Sequence, residues 1–100
     1  MIDLEEQYLE ETKRILTQKV PQCEVRVFGS RINGKAHKFS KFNLALVDKE
    51  KLDWRKIESL KDAFSLSDVP IIVDVINWNA ISDDFRKIIE NNYDIIQERK

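Results

Sequence analysis

The residues with the clearest capacity for chemistry lie in one stretch, Phe28–Leu46, which reads FGSRINGKAHKFSKFNLAL. A strand that ends in Gly29-Ser30 and enters a helical turn lets backbone amides point outward, because glycine tolerates torsions and close approaches that a side chain forbids. Such a turn attracts phosphate, and Ser30 adds a hydroxyl donor. Arg31 and Lys35 follow and could steer a polyphosphate. A strand fed by such a turn ought to carry carboxylates to hold a metal. Instead it offers Lys41 and Asn43.

A second candidate is Asp74, a charged group inside the apolar run IIVDVI. Burying a carboxylate costs free energy unless it is paired or faces a cavity, so Asp74 reads as a site residue or half of an ion pair. His37 reads as a loop residue. Cys23, the only cysteine, reads as a small side chain at a strand end, and one cysteine with one histidine makes neither a zinc cluster nor a thiol dyad. Trp78, just past the Asp74 strand, could line a nucleotide or partner surface, whereas Trp54 and Tyr93 are expected to pack.

The elements that must position these groups follow from periodicity. Residues 3–19 place Leu4, Tyr8, Thr12, Ile15, Leu16 and Lys19 on one helical face, and Pro21 marks the end of that helix. CEVRVF alternates, with Val25 and Val27 on one side and Glu24, Arg26 and Phe28 on the other, as a strand does. FNLALV forms a second strand, with Phe42, Leu44 and Leu46 sharing a face. Trp54, Ile57, Leu60, Lys61 and Phe64 recur at helical spacing. IIVDVI, nearly continuous and β-branched, predicts a central strand covered on both faces. A last helix is expected from a cap at Ser82, burying Phe85, Ile88, Ile89, Tyr93 and Ile96.

One hundred residues suffice for one domain with one core, and neither a repeat nor a linker divides them, so residues 1–100 are expected to form a single α/β (α+β) domain, a small mixed sheet of three or more strands packed with helices. Seventeen basic and 18 acidic residues give a net charge of −1 and a pI near 5.8, which argues against a general nucleic-acid binder. No apolar run reaches the roughly 18–20 residues that cross a bilayer, and the acidic start MIDLEEQYLEE lacks the order of a signal peptide, so the expected location is the cytoplasm.

The motif GSRINGKAHKFSKFNL, followed by VDVINW and the closing DDFRKIIENNYDII, resembles the minimal nucleotidyltransferase (MntA-like) domain of the polymerase-beta-type nucleotidyltransferase superfamily. The likeness covers nearly the whole chain and implies a nucleotidyltransferase-like fold. It implies that Gly29 and Ser30, with Arg31 and Ser40, contact a nucleoside triphosphate. It also implies that Asp74 is the third of three carboxylates at a magnesium site, the other two falling at positions 41 and 43. Members of that family take ATP, release pyrophosphate and transfer a nucleoside monophosphate to an acceptor hydroxyl. They commonly serve as the antitoxin half of a two-component system, modifying a HEPN-type ribonuclease toxin on tyrosine.

Two departures from that pattern alter the expectation. Asn43 keeps an oxygen without its charge, and Lys41 brings an ammonium that repels magnesium, so the local formal charge moves from −3 to about zero. Catalysis is therefore expected to be weak or lost. Lys41 is expected either to pair with Asp74, replacing the cation, or to bind a phosphate directly. The competing reading is a non-catalytic interaction module that binds a HEPN-type partner or a second copy of itself.

Overall fold

The computed structural model describes residues 2–37 and 40–99; Lys38 and Phe39, inside the motif, lie outside the described residues. The elements are α1 (Glu6–Lys19), β1 (Glu24–Phe28), α2 (Ser30–Asn33), β2 (Phe42–Val47), α3 (Trp54–Ser65), β3 (Val73–Asn77), a 3-10 turn (Trp78–Ala80), α4 (Asp83–Asn91) and β4 (Tyr93–Gln97). The strands form one mixed sheet in the order β3-β2-β1-β4, with β1 antiparallel to β2 and β4, and β2 parallel to β3. The mixed α/β architecture expected from the sequence is the one observed.

Local chemistry explains the boundaries. α3 begins where the Asp53 carboxylate accepts from the Arg55 amide at 2.9 Å, and α4 where the Ser82 hydroxyl accepts from the Phe85 amide at 3.2 Å. Each satisfies an amide that the first helical turn leaves without a carbonyl. Alternation then sorts the strands. Val25, Val27, Leu44 and Leu46 are fully buried on the face that meets Ile15, Leu16, Leu60 and Phe64 of α1 and α3. Each such aliphatic side chain contributes about 1.5–3 kcal/mol by leaving water.

Four expectations need correction. Ile88 of the last helix is not buried but 66% exposed. The last helix does not run through Tyr93 and Ile96; α4 stops at Asn91 and the chain continues as β4 along β1. Gln97 explains why that strand is held in place, since its amide donates to the carbonyls of Val20 at 2.9 Å and Cys23 at 3.0 Å. Tyr93 is accordingly a half-buried strand residue, not helix core. β3 is an edge strand rather than a central one, which leaves Ile72 65% exposed and Asp74 in solvent. Trp54 does not pack; it is 68% exposed, with the Arg55 guanidinium 5.7 Å from its ring.

Candidate functional site

The face of the sheet away from α1 and α3 carries the alternate residues of the same strands. Strand register sets Phe28, Asn43 and Asp74 in one row across β1, β2 and β3. α4 covers part of this face, where Phe85 meets Phe28 edge to face at 5.9 Å. The β3 end of the row stays open.

Gly29 turns the chain out of β1 with φ 89° and ψ −154°, a conformation that strains any residue with a side chain. A Cβ at this position would lie 2.7 Å from the Asn43 Nδ2, so the Asn43 amide rests directly against the glycine turn. Beside it, Lys41 Nζ stands 3.8 Å from Asp74 Oδ2. The pairing expected of these two residues is therefore present. Both are more than half exposed, 58% and 53%, and an ion pair this open to water contributes roughly 0–1 kcal/mol.

Arg31 and Ser40 come together differently from Gly29 and Asn43. Arg31 is 7% exposed, and its guanidinium donates to the Ser40 carbonyl from Nε at 3.2 Å and Nη2 at 2.9 Å, and to the Asp3 carbonyl from Nη1 at 3.0 Å. The Ser40 hydroxyl accepts from the His37 amide at 3.0 Å. Both side chains thus brace the loop that delivers Lys41 to the mouth of β2, a positioning role that the motif alone does not reveal.

One feature of the open face escaped sequence reasoning altogether. The Arg26 guanidinium lies 4.7 Å from the Trp78 ring and 4.7 Å from the Tyr93 ring, while Arg86 covers Trp78 at 5.5 Å. Arg86 Nε also donates to the Trp78 carbonyl at 3.0 Å, and Arg26 Nε to the Glu24 carboxylate at 2.6 Å. Such cation–π contacts contribute about 0.5–2 kcal/mol each. The placement of Arg26 beside Phe28 on the outer side of β1 was legible; the partner on β4 was not, because that strand was read as helix.

Cys23 is fully buried, and burial, with a smaller push from Asp48, raises its thiol to about 11. It stays protonated and is no nucleophile. A cavity of about 630 Å³ is bordered by Asp3, Tyr8, Arg31, His37 and Ile71; Gly29, Asn43 and Asp74 do not line it. No helix of the described chain is long and apolar enough to cross a membrane.

The four-stranded mixed sheet with its flanking helices matches nucleotidyltransferase-like structures. The sequence model of the family "Polymerase beta, Nucleotidyltransferase" matches residues 9–100, and the chain belongs to that family, as a minimal nucleotidyltransferase domain. It is 44% identical over 99 residues to a probable protein adenylyltransferase MntA of Haemophilus influenzae, covering 99% of this chain and 87% of that one. Among solved structures it is similar to a toxin–antitoxin MntA–HpeT mutant, with a TM-score of 0.76 at 17% identity, over 92% of this chain and 74% of the other. A toxin–antitoxin crystallised with AMP-PNP gives a TM-score of 0.68 at 19% identity, over 97% and 76%. A tri-AMPylated Shewanella oneidensis HEPN toxin in complex with MNT antitoxin gives 0.62 at 14%, over 93% and 71%.

The family's magnesium does not fit the residues this chain offers. A Mg²⁺ site needs carboxylate oxygens held in near-octahedral geometry. Here one carboxylate, Asp74, faces an ammonium, and the neighbouring strand position is an amide. Among the described residues no group of three or more His, Cys, Asp and Glu side chains is placed to hold a metal ion.

Proposed function

We propose that this chain is an antitoxin-type nucleotidyltransferase domain that keeps the family's partner and nucleotide pocket but has weakened or lost nucleotidyl transfer. The partner is a HEPN-type toxin, and ATP is the ligand or residual substrate. The partner assignment draws on the likeness to relatives described as an MntA adenylyltransferase and as halves of toxin–antitoxin complexes. The single observation behind impaired turnover is the Lys41–Asp74 pair where the family uses carboxylates around a cation.

The chemistry explains the deficit. When an acceptor oxygen attacks the α-phosphorus, negative charge develops on the phosphoryl oxygens and passes to the departing pyrophosphate. Lys41 supplies one positive charge on a flexible stem, with no means of holding the attacking hydroxyl in line. A carboxylate-held metal would do both when bound, and of the three positions that would hold it only Asp74 carries an anion.

The test is restoration. Lys41→Asp with Asn43→Asp should create magnesium-dependent transfer of labelled AMP to a co-purified HEPN partner, where the unaltered chain gives little or none. Brisk labelling by the unaltered chain would overturn the reading. A second reading, a module that acts by contact alone, draws on Leu66 at 89% exposure and on Ile72, 65% exposed and near Asp74. In that case the restored variant would still bind its partner and transfer nothing.

A further inference from the structure

Resting on that reading of the pocket, we propose that the site takes the polyphosphate of a nucleoside triphosphate as a bare anion, held by Lys41, the Asn43 amide and the Ser30 hydroxyl, with no divalent ion between protein and phosphate. The altered residues then constitute a different kind of site, not merely a damaged one.

Three observations support this. First, the donors are free to take a ligand. Among the described residues neither the Ser30 hydroxyl nor the Asn43 side-chain amide is engaged in an internal hydrogen bond, and no buried polar side-chain atom is left without one, so both donors face solvent. Lys41 touches Asp74 only at 3.8 Å, too long for a hydrogen bond and open to water. A phosphate oxygen offers it a shorter, charge-assisted contact.

Second, the Asn43 amide lies directly beside the Gly29 turn. Its Nδ2 sits against the Gly29 turn, close enough to collide with any side chain added there. Glycine at this point keeps the approach to that amide clear, and the donors come from the α2 start, the β2 entrance and β2 itself. Third, the local charge no longer opposes an anion. Lys41 brings a positive charge to this edge and is more than half exposed. Asp74, its partner at 3.8 Å, offsets that charge. With three carboxylates the same pocket would repel a polyphosphate until cations neutralised it.

The dependence on magnesium is therefore inverted. Magnesium bound to ATP masks the oxygens that Lys41 and Asn43 would hold, so it competes with the protein. Asp74, the residue a metal-dependent site needs, is here the group that repels the ligand. Titration calorimetry with AMP-PNP and with inorganic tripolyphosphate, in EDTA and in excess magnesium, tests both points. Both ligands should bind in EDTA, and magnesium should weaken each by about two- to fivefold. Asp74→Asn should tighten binding in EDTA by about the same factor. Lys41→Asp should weaken it by about tenfold or more in EDTA, with Lys41→Ala falling between and circular dichroism checking that each variant is folded.

Binding that requires magnesium, loss of affinity in Asp74→Asn, or failure of both ligands in EDTA would each overturn the proposal. Failure of tripolyphosphate alone would do so as well, since it would place recognition on the nucleoside. These outcomes are separable from the test of turnover. A chain that binds ATP only with magnesium yet labels no partner sinks this inference and leaves impaired transfer standing, whereas magnesium-dependent labelling sinks the other.

Discussion

On the face of the sheet packed against α1 and α3, Val25, Val27, Leu44 and Leu46 are sealed from water; on the opposite face their chain neighbours Arg26 and Asn43, and Asp74 on β3, remain partly or largely exposed. The same strands therefore serve two purposes under different constraints. Volume and apolarity rule the covered side, where a lost methylene leaves a void. Charge and reach rule the open side, where a carboxylate can become an amide or an ammonium at little cost to folding. That asymmetry leaves the open side free to change charge without loss of the fold.

The contrast can be broken at graded points. Leu44→Ala should be the most damaging, lowering stability by about 2–5 kcal/mol in urea titrations because it opens a cavity under the central strand. Arg31→Met should cost about 2–3 kcal/mol, since the Ser40 and Asp3 carbonyls lose a buried, charged donor; a loss under half of that would show the brace to be dispensable. Gly29→Ala should cost about 1–3 kcal/mol, and part of it should vanish when combined with Asn43→Ala, which removes the colliding amide. Lys41→Ala should shift the urea midpoint least, by under about 0.5 kcal/mol, since an exposed pair at 3.8 Å stabilises little. A cost for Lys41→Ala approaching that of Arg31→Met would erase the distinction between the two sides.

How much of this was readable beforehand follows the same divide. Alternation in CEVRVF and FNLALV placed β1 and β2 with the correct side inward, because burial on one face leaves a period of two. The glycine turn was legible because its signal is local. β4 was not: Phe85, Ile88, Ile89, Tyr93 and Ile96 keep a helical step across the Asn91–Asn92 stop, and the pairing with β1 that decides the matter spans more than 60 residues. Asn91-Asn92 followed by the β-branched pair Ile95-Ile96 was the available signal. β3 looked central because an apolar run reveals hydrophobicity, not sheet position, and Ile72 spends that hydrophobicity at an exposed edge. Sequence shows the Arg31 guanidinium, and only the fold shows that it donates to the Ser40 and Asp3 carbonyls.

The cation–π ladder supplies the chain with its own optical reporter. Of the two tryptophans, Trp54 stands largely in water at the start of α3, far along the chain from the pocket, whereas Trp78 is clasped between Arg26 and Arg86 four residues beyond Asp74. Replacing Trp54 with phenylalanine would leave a single indole whose emission follows the open side of the sheet, so ligand arrival could be watched as a change in colour and intensity without attaching a dye.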